Sequence, residues 1–147
     1  MAASVHPMDQ ISEKTLQGLV EGYCLQKGLL FYHTYDSRRS VAGYPDLTIL
    51  GAGGVMLAEL KSETGKLSRS QKAWVDAAIA SHTPVRIWRP AQRRDGTIRA
   101  DIDEFAARGN DVCRSIVRRC ANALRDERAT GAVRRSMRPA PVGGVEQ

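Results

Sequence analysis

The sequence predicts an α/β domain with a mixed central β-sheet flanked by helices, and three patterns support this fold class. Short apolar runs typical of strands alternate with longer segments in which apolar residues recur at helical spacing. Two of these runs, LTIL and VMLAELKS, are separated only by the glycine-rich turn GAGG, which joins them as a hairpin. One helical segment precedes the strands, and another separates this hairpin from a last strand, VRIWRP. The predicted order is therefore helix, three strands, helix and strand, followed by further helices.

The first helix is predicted over residues 12–27. Ser12 is a favourable N-terminal cap, and Gly28 is a typical residue for ending a helix. The apolar stripe of this helix consists of Leu16, Leu19, Val20, Tyr23 and Cys24. Residues 29–35, LLFYHTY, are rich in aromatic side chains and predict the first strand.

The second and third strands are the apolar runs on either side of the turn at residues 51–54. Their continuous apolar character indicates burial on both faces. Ser68 is a good cap for the second helix, and Thr83-Pro84 ends it before the fourth strand. Beyond that strand the sequence predicts a turn at residues 93–96, a short helix over residues 101–107 and a longer helix over residues 111–128.

The length of 147 residues fits one domain, which we place at residues 12–128. Residues 1–11 are expected to form a flexible N-terminus. Residues 129–147 are dominated by Gly, Pro, Ser and Arg, so they are expected to form a basic, disordered tail.

The chain is basic, with a formal net charge of +6 and a pI near 9.6. Such a balance suits a polyanionic partner such as a nucleic acid, although it also serves simple solubility. No segment approaches the roughly 20 apolar residues of a membrane span, and the N-terminus lacks the pattern of a signal peptide. We therefore expect a cytoplasmic protein without a membrane partner.

The three cysteines are Cys24, Cys113 and Cys120. An odd and sparse set argues against a disulfide framework and favours a reducing compartment. Cys113 and Cys120 lie seven residues apart on one face of the last predicted helix, so we expect them to be core residues. The other apolar residues on that side of the helix are Val112, Ile116, Val117 and Leu124.

Three charged residues interrupt the apolar strands: Asp46 opens the second strand, and Glu59 and Lys61 lie on the third. Because side chains alternate along a strand, Glu59 and Lys61 project to the same side, about 7 Å apart, whereas Leu60 points into the core. A carboxylate on a buried strand is costly unless it is paired or bound to a metal. Asp46 and Glu59 would supply hard oxygen ligands to a divalent cation, with Lys61 orienting a water or stabilising phosphate charge.

Other interpretations of these three residues stay open at this point. Pro-Asp is a common turn dipeptide, so Asp46 could simply cap a turn. Glu59 could form a salt bridge with Lys61, and this pairing is compatible with an active site that holds no metal. Lys61 could also be an edge-strand lysine that discourages aggregation.

The segments SEKTLQ, GYPDLTIL, AELKSETGKLSRSQKAW and PVRIW together resemble the VRR-NUC group of the PD-(D/E)xK nuclease superfamily. The resemblance implies a restriction-endonuclease-like αβββαβ core with additional C-terminal helices, and cleavage of DNA phosphodiester bonds that depends on Mg²⁺ or Mn²⁺. It also implies a homodimer. Single-domain members of the group are similar to the Holliday junction resolvases of phages and archaea, so we expect a role in DNA recombination and repair in a bacterial or phage-infected cell.

The resemblance also assigns roles to individual residues. The implied metal ligands are Asp46, Glu59, the Leu60 carbonyl and Glu13, which opens the first helix. Lys61 would orient the attacking water, and Gln71 would contact the metal shell or the phosphate backbone. Glu21 competes with Glu13 for the position on the first helix, and we favour Glu13. An acid in the first helical turn is, however, also favoured by the helix dipole alone.

Four basic residues are candidate DNA contacts. Arg38 and Arg39 lie in the polar loop just before Asp46, and Lys66 and Arg69 flank the start of the second helix, where backbone amides favour anions. All four are also compatible with ordinary surface charge. Tyr35 and Tyr44 flank the loop and would either stack on a base or pack in the core, whereas Trp74 and His33 are expected to be structural.

The sequence indicates the type of reaction more specifically than it indicates the DNA substrate. A small single domain without modules for reading sequence points to recognition of DNA shape, as in branched or four-way junctions, and a two-fold dimer suits a symmetric junction. One alternative is a flap or replication-repair nuclease of the same fold. A non-catalytic nucleic-acid-binding module is another, although Asp46, Glu59 and Lys61 are all present.

Overall fold

A four-stranded β-sheet lies at the centre of the computed structural model, which describes residues 4, 6–35 and 37–136. The strands are β1 (Leu30–His33), β2 (Leu47–Gly51), β3 (Gly54–Leu60) and β4 (Val85–Trp88), and they lie side by side in that order. Antiparallel pairs join β1 to β2 and β2 to β3, whereas β3 and β4 are parallel. The predicted mixed sheet is therefore confirmed.

Five helices accompany the sheet in the described residues: α1 (Glu13–Gln26), α2 (Arg69–Ala80), α3 (Pro90–Arg94), α4 (Thr97–Ala107) and α5 (Asp111–Ser136). Both predicted caps are present. The Ser12 side chain accepts a hydrogen bond from the backbone N–H of Thr15, and Ser68 forms a reciprocal capping box with Gln71. The predicted order of helix, three strands, helix and strand is the observed order.

The main core fills the space between the sheet and two helices on one of its faces. The helical residues in it are Leu16, Val20 and Cys24 of α1, and Ile98, Ile102 and Phe105 of α4. On the opposite face, α2 contacts β4, and the last residues of β3 are buried on both sides. The prediction of burial on both faces is wrong for β2, because Thr48 is half-buried and Leu50 is exposed.

Three predictions after β4 are also corrected. Of the turn expected at residues 93–96, only Asp95 and Gly96 form a turn, because Arg93 and Arg94 belong to α3, which Pro90 can begin since proline suits the first helical turn. The short helix expected at residues 101–107 begins earlier, at Thr97. The last helix extends through Ser136 instead of ending near residue 128, since alanine and arginine favour helix and no proline intervenes. The remaining predicted tail, residues 137–147, lies outside the described residues.

The N-terminal segment is partly ordered on the domain. Pro7–Asp9 forms one turn of 3-10 helix that contacts α3. The Asp9 carboxylate is 5% exposed and is paired through both oxygens with the guanidinium of Arg94, which lowers the pKa of that carboxyl. The flexible N-terminus expected over residues 1–11 is thus structured from Pro7 onward.

The outer face of α5 is not covered by another element in the described part of the chain. Cys113 and Cys120 are exposed, so the prediction that they are core residues is wrong, and Ile116 and Leu124 are exposed as well. Helical periodicity identifies residues that share a face but does not supply the element that buries them. Cys24, by contrast, is buried, and its burial raises the pKa of its thiol to about 12. Among the described residues, no helix is both long and apolar enough to cross a membrane.

Candidate functional site

Asp46, Glu59 and Lys61 meet at one end of the sheet, where β2 begins and β3 ends. Leu47 pairs with Ala58, so the antiparallel register brings the preceding Asp46 level with Glu59. One Asp46 oxygen, Oδ2, accepts a hydrogen bond of 2.7 Å from the backbone N–H of Leu60. The fold thus brings the two acids and the lysine together, although 12 residues of sequence separate the acids.

The loop before Asp46 is held against α2 by two aromatic side chains. The Tyr44 ring lies edge-on to Trp74, with 4.9 Å between the ring centroids, and its hydroxyl is 2.8 Å from that of Thr48. Trp74 Nε1 donates a hydrogen bond to the carbonyl of Ala42. Trp74 was expected to be structural, and it is half-buried and fixes the loop that carries Asp46.

Glu59 and Lys61 form a buried ion pair. Glu59 is 1% exposed and Lys61 is 9% exposed, and Lys61 Nζ lies 2.8 Å from Glu59 Oε1. Gln71 Nε2 donates to the same oxygen at 2.5 Å, while Gln71 Oε1 accepts the backbone N–H of Ser68 in the capping box. The cap of α2 therefore orients Gln71 toward Glu59, and the predicted Gln71 lies in the site.

Glu13 reaches the same end of the sheet from the first residue of α1. Its Oε1 accepts a 2.9 Å hydrogen bond from the backbone N–H of Ser62, which directly follows Lys61. Arg89, the residue after β4, donates to the carbonyl oxygens of Ser62 at 2.7 Å and Glu63 at 3.3 Å. Sequence reasoning missed Arg89, since a basic residue at a strand end has no pattern that separates it from surface charge.

The competing acid, Glu21, has a different environment. Its Oε1 accepts from Gln17 Nε2 at 2.9 Å and lies 2.8 Å from His33 Nδ1, at the end of β1. Glu21 is therefore engaged by neighbours on α1 and β1, whereas Glu13 holds the segment that follows Lys61.

Burial raises the pKa of both Asp46 and Glu59. Desolvation is the largest cause for each, because removing a carboxylate from water disfavours its charged form. The Leu60 N–H and the Lys61 charge partly offset this for Asp46, and the hydrogen bond from Lys61 partly offsets it for Glu59. The charge of Glu13 also raises the pKa of Asp46, and the charge of Asp46 raises that of Glu59, so a bound cation would relieve a cost that Lys61 offsets only in part.

The donor set suits a hard divalent cation. The hydrogen bonds described above engage one oxygen each of Asp46, Glu59 and Glu13. Within residues 4, 6–35 and 37–136, no three His, Cys, Asp or Glu side chains are grouped as a ready-made metal cage. Mg²⁺ keeps several waters and commonly binds through one or two carboxylates, so the pair of Asp46 and Glu59 fits its preference.

The four candidate DNA contacts are all exposed and lie on segments next to the site. Arg38 and Arg39 belong to a turn of 3-10 helix, Ser37–Arg39, in the loop before Asp46. Lys66 lies in the loop after Lys61, and Arg69 is the first residue of α2. Their exposure and their places in these segments are compatible with contacts to a phosphate backbone.

Comparison of the chain with protein-family models, with curated proteins and with solved structures gave no match in any of the three. The interpretation of the site therefore depends on its geometry and on the residues that form it.

We expect divalent-cation binding to strengthen as the pH rises through the raised pKa values of Asp46 and Glu59. Cations require deprotonated carboxylates, and burial keeps protons on Asp46 and Glu59 above the usual range. Because folding raises the pKa values of Asp46 and Glu59, their protonation stabilises the folded protein. This contribution to the free energy of unfolding is lost as the pH rises through the raised pKa values. The increase in Tm caused by non-cleaving Ca²⁺ should therefore grow with pH.

Differential scanning fluorimetry with Ca²⁺ or EDTA at each pH measures this effect. Asp76→Asn is the matched control, because Asp76 is an exposed carboxylate of α2 that pairs with Lys72 and lies apart from the site. Its response to Ca²⁺ should equal that of the wild type, whereas Asp46→Asn should abolish the response. An increase in Tm that does not depend on pH would contradict the raised pKa values.

Proposed function

We propose that this protein is a metal-dependent nuclease that hydrolyses DNA phosphodiester bonds, with a restriction-endonuclease-like core of the VRR-NUC type. The observation that carries the proposal is the buried Glu59–Lys61 pair beside Asp46, on the central strands of a mixed sheet. An ion pair of this kind is weak evidence for a stabilising role, because burying both charges costs about as much as their attraction returns. A role in binding a cation and a phosphodiester accounts for the same residues.

Asp46 and Glu59 would hold Mg²⁺ or Mn²⁺ together with the Leu60 carbonyl, and Glu13 would complete the site directly or through a water. When bound, the cation supplies an acidified water and neutralises charge on the phosphate. The Lys61 ammonium group would then be partly released from Glu59, so that it can orient the attacking water. The same group would stabilise the negative charge that develops on the phosphate. Gln71 and Ser62 would hold Glu59 and Glu13 in position through the hydrogen bonds already described.

The proposed substrate is branched DNA, cut by a homodimer in the manner of a Holliday junction resolvase. Arg38, Arg39, Lys66 and Arg69 provide exposed positive charge around the carboxylates, and such contacts position a backbone without reading its sequence. A flap nuclease of the same fold is the second candidate, favoured by an aromatic recess beside Asp46 that is described below.

Cleavage of labelled four-way junctions, flaps, single strands and linear duplexes in Mg²⁺, Mn²⁺ or EDTA tests the proposal. We expect cleavage that requires a metal and favours branched substrates. Paired symmetric nicks in the junction would identify a resolvase, and single cuts near the branch would identify a flap nuclease. DNA binding without cleavage in any metal, or cleavage that persists in EDTA, would contradict the proposal.

A further inference from the structure

A recess of about 170 Å³ opens beside the candidate site, within the loop that connects β1 to β2. Its lining includes Tyr35, Val41 and Tyr44, and Asp46 is part of the same lining. The recess therefore shares a carboxylate with the proposed metal site. Any group that occupies it would lie next to a phosphodiester bound through the cation that this carboxylate would hold.

The aromatic lining is exposed but supported. The Tyr35 side chain is 82% exposed, and its ring rests on that of His33 with 4.3 Å between centroids. His33 is in turn fixed by Glu21, which also accepts a hydrogen bond from Gln17. Folding alone gives no reason to hold a large aromatic ring in solvent through one ring contact and two polar contacts.

Tyr44 and Val41 form the other wall of the recess. Tyr44 is held by its edge-on contact with Trp74 and by its hydroxyl contact with Thr48, so its ring is a fixed surface. Val41 is largely exposed and adds an aliphatic edge. The recess thus combines the aromatic walls of Tyr35 and Tyr44 with a lining that also contains the polar residues Thr34, Ser40 and Asp46. Such a mixed lining suits a flat heteroaromatic ring that carries polar groups on its edge, next to a bound cation.

We propose that this recess holds the unpaired base of a nucleotide adjacent to the cleaved bond, stacked on Tyr35. The inference rests on the proposed nuclease function and, within it, favours the flap nuclease, because the bases of a four-way junction are paired. A base in duplex DNA is paired and stacked, so it must be extruded before it can enter a recess. Flaps, splayed branches and single strands present such a base at no cost, and stacking on an aromatic ring tolerates any base. Intact duplex is therefore a poor substrate.

Binding of a single-stranded oligonucleotide that contains 2-aminopurine tests the inference without any need for cleavage. In Ca²⁺, we expect wild-type protein to quench the fluorophore and Tyr35→Ala to lose that quenching, with affinity lowered roughly 5- to 150-fold. Tyr35→Phe should retain both properties, because it keeps the ring. Because Tyr35 is largely exposed, neither substitution should disturb folding, and a Tm equal to that of the wild type would exclude misfolding.

Tyr32→Ala is the matched control. Tyr32 is a tyrosine of the neighbouring strand that is 63% exposed, and it is not part of the recess lining. Its substitution should leave quenching and affinity close to those of the wild type. If Tyr35→Ala and Tyr32→Ala bind and quench alike, the recess does not hold a base.

A second comparison separates failure of this inference from failure of the proposed function. An oligonucleotide series with one abasic position moved along the strand should bind the wild type more weakly at one position and leave Tyr35→Ala unaffected there. If the abasic position weakens binding equally in the wild type and in Tyr35→Ala, the inference is overturned, even where Glu59 proves essential for cleavage. Conversely, a base-dependent effect of Tyr35 would stand if cleavage were shown not to depend on Glu59.

Discussion

Glu59→Gln is expected to lower the rate of metal-dependent DNA cleavage by roughly 10³-fold or more. The substitution keeps the shape of the side chain but removes one anionic ligand of the proposed metal site and the partner of Lys61. Removing the charge spares the cost of burying it, but it also leaves the buried Lys61 ammonium without its partner, so the Tm should fall. Below that lowered Tm, the variant should keep a folded circular dichroism spectrum and wild-type DNA affinity in EDTA.

Lys61→Met provides the companion measurement, because methionine keeps most of the apolar stem of lysine. We expect kcat to fall while KM stays close to that of the wild type, as for an interaction made only in the transition state. Lys66→Ala is the matched control: Lys66 is exposed on the next loop, so its loss should weaken DNA binding and reduce the salt dependence by about one charge. Full activity of Glu59→Gln in a clean preparation would show that the site is elsewhere.

The geometry of this pair was predictable because it depends on local rules. Side-chain alternation places Glu59 and Lys61 on one face of a strand whatever the rest of the fold, and Ser68 marks the start of α2 for the same kind of reason. The hairpin turn then sets the register that brings Asp46 level with Glu59. Each of these relations spans fewer than about 15 residues, a range in which sequence pattern is informative.

Contacts between distant segments were not predictable in this way. Arg89 reaches Ser62 across 27 positions of sequence, and Glu13 reaches it across 49. Only the resemblance to a known family suggested Glu13, and nothing suggested Arg89. The exposed face of α5 illustrates the same limit, because apolar periodicity predicts a face but leaves open which surface covers it.

Gly43 links the fold to the candidate site, two residues before Pro45-Asp46. Its φ of 82° lies in the left-handed region, where side chains are disfavoured. A Cβ at this position would meet the Ser70 carbonyl group and would lie 2.6 Å from the backbone nitrogen of Gln71. The loop that carries Asp46 thus presses directly against the first turn of α2, which carries Gln71.

Gly43→Ala is therefore expected to destabilise the protein by about 2–4 kcal/mol, the sum of backbone strain and overpacking. It should also lower cleavage about 10²-fold, because relief of the clash moves Asp46 and Gln71 apart, and displacements near 1 Å have effects of this size. Urea unfolding measures the first effect, and single-turnover cleavage below the unfolding transition measures the second.

Gly96→Ala is the control that separates the effect of the steric clash in Gly43→Ala from the effect of backbone strain. Gly96 has a similar φ of 87°, precedes α4, and has no atom within 4 Å of the position that a Cβ would occupy. It should lose stability from strain alone, by about 1 kcal/mol, and keep wild-type cleavage. Equal activities of the two variants would show that the contact between the loop and α2 does not position the site. A loss of cleavage confined to Gly43→Ala would instead show that the close approach of two backbones, which only glycine permits here, holds Asp46 and Gln71 in register.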